Sequence, residues 1–386
     1  MTERETEVSG ESANAPGRRT ALYWAVLPGL APLLGGRRAI GGFVLWIWSG
    51  CIATLVLRWD RVFDARLGPL DHKVAFFTLF ACLLGAWAWS FHDLRGALQD
   101  RGPRVAGTWR IAASSFGRSR LAVLGLVIIG TAYLVALLAP FIAPYAPGIP
   151  SEIGSDGFLR PSLAHPLGTD QLSRDMLTMI LYGSRISLSV GFVAVAISVT
   201  IGTLLGAISG YVGGWTDSVI MRMVDVVIAF PRLVLLIAVL ALFDSSLLLI
   251  MLVLGLTQWP STTRIVRGEV LSLRERDFVQ AARALGYSRA RIVLRHIVPN
   301  VVAPIIVAAT LGIGNVIVLE AGLSFLNLGV GGDVASWGRL VARGQGFLLN
   351  AWWLATFPGL AIVFTVLSFN LVGDGLRDAL DPRLDA

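Results

Sequence analysis

Eight apolar stretches, most about as long as a bilayer is thick, dominate this chain and fix its fold class before any motif is considered. Residues 39–57, 74–91, 121–142, 187–209, 218–243, 246–263, 301–322 and 353–373 are each predicted to cross a membrane. Hydrocarbon offers no partner to an unpaired backbone N–H or C=O, so runs of this length are satisfied as helices. The expected fold is all-α, a polytopic membrane helical bundle. Composition agrees, because 55% hydrophobic against 15% charged residues, with a mean hydropathy of +0.71, exclude an ordinary soluble protein. A shorter apolar stretch, 21–36, is interrupted by Pro28, Pro32, Gly35 and Gly36 ahead of Arg37 and Arg38, and reads as re-entrant or interfacial.

The polar segments divide the chain. Residues 1–20 are expected to be a disordered cytoplasmic tail without a signal peptide, 21–92 a membrane hairpin extension, 93–120 a basic cytoplasmic linker, and 121–386 a six-span core with its main polar loop at 264–300. A net charge of +7 could suggest nucleic acid, but the basic residues cluster between apolar runs, where the positive-inside rule accounts for them. The 93–120 segment carries Arg95, Arg101, Arg104, Arg110, Arg118 and Arg120 against Asp93 and Asp100, which puts it inside. Alternation then places 143–186 outside and 210–217, 264–300 and the C-terminal tail inside. The charge count agrees, since eight arginines in 264–300 face only Glu269, Glu275 and Asp277.

No enzyme chemistry is visible. His72, His92, His165 and His296 are scattered, no His-Glu pair has metal-binding spacing, no phosphate-cradling Gly-Lys-Ser/Thr loop occurs, and no Ser or Cys nucleophile adjoins a base. Cys51 and Cys82 fall in apolar runs and read as small buried hydrophobes.

Within the inside loop, residues 277–299, DFVQAARALGYSRARIVLRHIVP, pattern as two short helices. Phe278, Ala281, Ala282 and Leu285 recur with helical period as an apolar face, and Gly286 breaks the helix. Ser288 can cap a second helix with Ile292 and Val293 on its apolar side, expected to stop before Pro299. Two helices joined at a glycine corner make a protruding knob.

This stretch resembles the cytoplasmic coupling loop of ABC importer membrane subunits, whose pattern is Glu-Ala-Ala, three residues, Gly, nine residues, then an apolar-Pro ending. The matching residues are Gln280, Ala281, Ala282, Gly286 and His296 to Pro299, with Gln280 replacing the usual Glu and Val298 standing where Leu is commoner. The resemblance implies that Asp277, Gln280, Ala281, Ala282, Gly286, Arg291, His296 and Pro299 form a loop that couples to an ATPase.

Further blocks extend the resemblance to the second permease subunit of dipeptide and oligopeptide importers, a group with relatives for nickel and glutathione. These are HPLGTDQLSRD (165–175), GGWTDSVIMRMVDVVIAFP (213–231), SFLNLG (324–329) with SWG (336–338), and FNLVGDGLRDALDPR (369–383). In two of them the chain departs from the pattern: Ser173 replaces Gly, and Gly331, Gly332 and Asp333 replace a segment that is often Pro-rich. The resemblance implies peptide import by alternating access. It also implies a homologous permease partner, two ATPase subunits that hold the ATP-Mg, an extracytoplasmic solute-binding protein, and no cofactor on this chain. A membrane enzyme or a scaffold whose basic loop binds anionic lipid is the reading from another class.

Beside the resemblance, Asp170, Arg174 and Asp175, in the external loop that also holds His165 and Gly168, have helical spacing and suggest a short charged helix on the outer face. The resemblance implies that it lies near the dock of a solute-binding protein; otherwise it merely covers the span ends. Asp217, Arg222 and Asp225 sit near the cytoplasmic end of a span, where an Arg222–Asp225 pair could fix packing or face the pathway. Glu320 has no basic neighbour in sequence and is a candidate cavity-facing acid, or a partner for another helix or subunit. Pro231, Pro260, Pro304 and Pro358 are expected to kink spans, and Gly202 and Gly206 to permit close helix approach.

Overall fold

A computed structural model describes residues 28, 38–65, 69–98, 108–150, 157–243, 246–329 and 335–380. The tail at 1–20, almost all of 21–36, and residues 331–333 lie outside the described residues. All regular structure among those described is helical apart from one isolated antiparallel bridge, Thr169 with Asp175. The chain divides into two compact units: the described parts of Met1–Ile52 with Phe80–Val105, and of Ala53–Leu79 with Ala106–Ala386.

The N-terminal helices are α1 (Arg38–Leu57), α2 (Trp59–Ala65) and α3 (Leu70–Leu98). The apolar portions of α1 and α3, Gly41–Leu57 and His72–Ala86, are shorter than the expected spans. In the first unit, Cys51 is buried and Cys82 half-buried, both as free thiols. In the second, Arg61 of α2 donates to the carbonyls of Ala143 (2.6 Å) and Pro144 (3.2 Å), which follow the end of α5 (Arg120–Ile142).

After α4 (Thr108–Arg118) and α5 come α6 (Met176–Val212), α7 (Gly214–Ala229), α8 (Arg232–Leu242) and α9 (Leu247–Leu273). The knob helices α10 (Asp277–Ala284) and α11 (Arg289–Ile292) precede α12 (Val298–Phe325), α13 (Trp337–Gly344) and α14 (Trp353–Leu380). Among the described residues, four helical stretches are long and apolar enough to cross a membrane: α5, α6, the stretch Arg289–Phe325, and α14. A fifth arises if α7 and α8 count as one broken span, bent by 81° at Phe230–Pro231. That sharp break replaces the continuous 218–243 span, and the missing N–H and ring of Pro231 supply its cause. The expected sixth core span, 246–263, lies inside α9, whose second half carries Gln258, Ser261, Thr262, Thr263 and Arg264. Its polarity keeps it from passing as an apolar crossing.

The most extensive packing joins α6 to α9. A Cβ on Gly202 would lie 2.5 Å from Thr262 Cβ, one on Gly206 2.7 Å from the Thr263 carbonyl, and one on Gly210 2.9 Å from Val270 Cβ. Gly255 of α9 is pressed in the same way on Ala194 and Ile197. The partner numbers rise together, so the two helices run parallel, with α9 residues level with α6 residues about sixty earlier. Close backbone approach at small residues replaces the hydrophobic drive that lipid removes. Around this pair, Val190, Ala194, Leu236, Ile250, Leu254, Val316 and Leu323 draw α8 and α12 into one core. A second cluster, with Ile129, Leu188, Ile317, Trp337 and Phe369, joins α5, α13 and α14 to α6 and α12.

Candidate functional site

The knob follows α9 directly. Helix α10 ends as expected at a left-handed glycine: Gly286 has φ +74°, its N–H donates to the Arg283 carbonyl, and the Tyr287 N–H reaches back to Ala282 at 3.2 Å. Gly is the residue that adopts this corner without strain. Ser288 caps α11, its Oγ accepting from the Arg291 N–H at 3.4 Å.

Two expectations change. The buried face of α10 is Val279 with Ala282, whereas Phe278, Ala281 and Leu285 are exposed, Leu285 at 71%. The second helix does not stop before Pro299. It passes through a π-helical turn, Val293–Ile297, straight into α12, with Pro299 in that helix's first turn. Proline is tolerated there, and the wider π turn accommodates the irregularity that a break would otherwise take up.

The inner side of the knob is anchored to three helices. Val279, Ala282, Ile292 and Ile297 pack with Ala207 and Tyr211 of α6, Val266 and Val270 of α9, and Val301 and Ile305 of α12. The Arg283 guanidinium lies 5.2 Å from the Tyr211 ring centroid, and Arg291 stacks 4.2 Å above Tyr287, itself beside the His296 ring. Gln280 Nε2 donates to the Arg274 carbonyl at 3.4 Å, a bond that a carboxylate could not give. Arg274 Nη1 in turn donates to the Gly210 carbonyl (3.2 Å). The outer side presents Asp277, Phe278, Ala281, Leu285, Gly286, Leu294 and Arg295 to whatever lies beyond.

Charges at the base of the knob pair between helices. Asp217 takes a two-pronged bond from Arg267 of α9 (2.6 and 2.7 Å) and a short one from Ser209 of α6. This latch spans the reversal at Gly213 and Gly214, both with positive φ. Asp225 pairs with Arg264 Nη2 at 2.7 Å, in place of the expected Arg222. Arg264 and Arg267, which the apolar spans leave in the loop, lie on α9, which runs on to Leu273. Their spacing of three, continuing from Thr257 and Ser261, is the sequence signal that marks them as helical.

Residues 165–175 form turns and a bridge where a charged helix was expected. The His165 ring bonds Asp175 at 3.1 Å with both side chains buried, and Asp175 Oδ2 accepts from the Thr178 N–H and hydroxyl at 2.8 Å, which makes it the N-cap of α6. Asp170 accepts from the N–H groups of Leu172 and Arg174, closing a turn. Gly168, at φ +76°, lets Trp353 come close enough to donate its ring N–H to the Thr169 carbonyl (3.1 Å). Capping and turn chemistry of Asp outweighs a spacing that happens to match a helix.

Glu320 is buried between helices. It is 1% exposed and accepts from Ser324 Oγ (2.8 Å) and Ser187 Oγ (3.3 Å); Ser187 also accepts the Trp337 N–H, and Ser336 stands 3.4 Å from Ser324. The SFLNLG and SWG blocks therefore converge on a buried acid that joins α6, α12 and α13. Among the described residues no three His, Cys, Asp or Glu are placed to hold a metal ion.

A family profile described as "Binding-protein-dependent transport system inner membrane component" matches residues 202–386, which include the knob, and one described as "N-terminal TM domain of oligopeptide transport permease C" matches 107–161. The dipeptide transport system permease protein DppC of Alkalihalophilus pseudofirmus is 43% identical over 278 residues, 72% of this chain and 90% of that protein. DppC of Haemophilus influenzae is 40% identical across 70% and 92%. The probable D,D-dipeptide transport system permease protein DdpC of Escherichia coli is 41% identical across 69% and 88%. The inward-facing MetNI methionine ABC transporter aligns with a TM-score of 0.46 at 18% identity, over 53% of this chain and 98% of that chain. Identity of this order along more than two thirds of both partners leaves one conclusion: the chain belongs to the family of binding-protein-dependent transport system inner membrane components, among its dipeptide and oligopeptide permeases.

Proposed function

We propose that this chain is a transmembrane subunit of a peptide importer that converts ATPase movement into alternating access. The carrying observation is the two-sidedness of the knob: its inner face is packed into the ends of α6, α9 and α12, while its outer face is exposed around a glycine corner. A rigid exposed corner held by α6, α9 and α12 is suited to transmit force. On this reading two cytoplasmic ATPase subunits bind ATP-Mg and grip Asp277, Gln280, Ala281, Gly286, Arg291 and His296 with their neighbours. A homologous permease completes the pathway, and an extracytoplasmic solute-binding protein delivers the peptide to the outer face near 165–175. The bonds from Arg61 to the segment after α5 support placing the α2 turn on that same outer side.

The test is Gly286→Glu in the complete transporter reconstituted in liposomes. No atom lies within 4 Å of a Cβ built there, so the knob's own packing survives, but the left-handed φ and the added bulk spoil the corner. Peptide uptake and peptide-stimulated ATP hydrolysis are expected to fall together, with the chain still in the membrane. Undiminished uptake refutes the coupling role. Uptake of nickel or glutathione in place of peptide by the unaltered complex refutes the solute.

A further inference from the structure

The ion pair Asp225–Arg264 stands in an unusual place. Its two side chains are 54% and 51% exposed, although they project from helices whose other exposed residues include Met223, Val226 and Ile228 on α7 and Leu252, Leu256 and Ile265 on α9. The parallel register with α6 gives its depth. Arg264 is level with about Leu204, eight residues short of the α6 end at Val212, so at 1.5 Å per residue it lies about 12 Å inside that end. There α6 still presents Leu204 and Ile208 outward, as a helix facing lipid does.

An exposed ion pair eight residues in from a helix end is disfavoured by hydrocarbon, by less than the about 2.5–3.5 kcal/mol per charge that applies at the bilayer centre, and is stabilised where water or another polar group reaches it. It also does not stand alone. Thr257, Ser261, Arg264 and Gly268 follow one face of α9 at helical spacing, opposite the face of Gly255, Thr262, Val266 and Val270 that packs inward. On α7, Ser218, Arg222 and Asp225 repeat the pattern, all exposed. The Pro231 bend then folds Arg232 onto the top of the stripe, where it donates to Gln258 (3.1 Å), Thr257 and the Leu254 carbonyl. The two helices thus share one polar seam through the inner half of an otherwise apolar surface.

We infer that this seam lines the inner half of the solute pathway and is a transient binding site for a zwitterion, with Arg264 and Arg222 meeting a carboxylate and Asp225 an ammonium group. A peptide with free termini carries both groups. It can exchange partners with the Asp225–Arg264 pair without leaving a charge bare, whereas an uncharged solute must break the pair uncompensated. The inference rests on the peptide-importer reading and adds the residues and the feature of the solute they recognise.

The experiment uses the complete transporter in inside-out vesicles, with Cys51 and Cys82 replaced by Ser. Single cysteines are placed at Ser261 and Gly268 on the seam and at Leu204 and Ile208 as lipid-facing controls, then exposed to a charged, membrane-impermeant thiol reagent. Ser261→Cys nearly keeps the side chain's shape, and a Cβ at Gly268 meets nothing within 4 Å. The seam positions are expected to react at least about tenfold faster than the controls, consistent with charged side chains that need water around them. Added Ala-Phe with free termini is expected to slow the reaction at Ser261→Cys, while its N-acetylated amide does not. In right-side-out proteoliposomes with ATP enclosed and the binding protein outside, Arg264→Gln should raise the KM for Ala-Phe uptake about tenfold, the loss of one charge-assisted bond. Seam cysteines as slow as the controls mean that lipid or the partner permease covers the surface, and overturn the inference. Fast labelling with no protection, in a transporter that imports Ala-Phe in the right-side-out proteoliposomes, overturns the solute contact while leaving the importer reading intact. Failure of the unaltered complex to import any peptide overturns both.

Discussion

Asp217 shows how much one side chain can hold in this protein. Its carboxylate receives both prongs of Arg267 and the hydroxyl of Ser209, so it joins α6, α7 and α9 at the chain reversal beneath the knob. Asp217→Ala removes the acceptor and strands the Arg267 guanidinium, at a cost of about 2 kcal/mol for a partly exposed charge-assisted network. The expected result is a lower thermal midpoint for the purified complex, with Asp217→Asn in between because its amide oxygen still accepts; an unchanged midpoint for Asp217→Ala would remove the latch from the account. Local chemistry of this kind was partly legible. The Gly286 corner and Ser288 cap could be read because capping depends on residues within a few positions. The partners of Asp217 and Asp225 could not, because they lie on α9 about 40 to 50 residues away, and a pairing rule limited to one helix face offers only Arg222.

Among the elements, α6 and α9 share the most extensive contact, and Gly202, Gly206 and Gly210 make it possible. Gly202→Leu would drive its side chain into Thr262, which sits 2.5 Å from where even a Cβ would lie. The helices must then part, at a cost of about 1–3 kcal/mol or more for overpacking. The expected readout is loss of the chain from the membrane fraction or of its assembly with ATPase subunits, whereas Gly268→Leu, on the open side of α9, is expected to assemble normally. Normal assembly of Gly202→Leu would mean that the contact is looser than drawn. The four-residue glycine spacing was visible in sequence, but its partner was not, since small residues mark a close approach without naming what approaches. The knob's buried face misled for a related reason. Phe278, Ala281, Ala282 and Leu285 fit a helical period well, but so does the stripe through Val279 and Ala282, and only the position of the α6, α9 and α12 ends decides between them. Helix α9 was legible as a helix, but the stretch 246–263 marks only its apolar part, and Arg264, Arg267 and Glu269, which continue it to Leu273, read as loop in a sequence scanned for apolar length.

For the whole molecule, the decisive matter is whether knob and spans move as one body. The contacts argue that they do: the knob shares a buried cluster with α6, α9 and α12, Arg283 stacks on Tyr211, and the π turn carries the backbone into α12 without a break. Movement imposed on the exposed corner would therefore tilt α6, α9 and α12 together, and the seam on α9 with them. The alternative is a knob that swings on its connections while the spans stay still. Cysteines at Tyr211 and Arg283, joined by a short bifunctional thiol reagent in a background with Cys51 and Cys82 replaced by Ser, separate the two. If the knob and α6 move together, the link forms equally well in nucleotide-free and ATP-trapped complexes, and the linked transporter keeps its peptide uptake relative to the unlinked double variant. A link that forms in one state only, or that stops uptake while ATP hydrolysis continues, would show that the hinge lies between the knob and α6. Force would then reach the seam through α12 and its π turn alone.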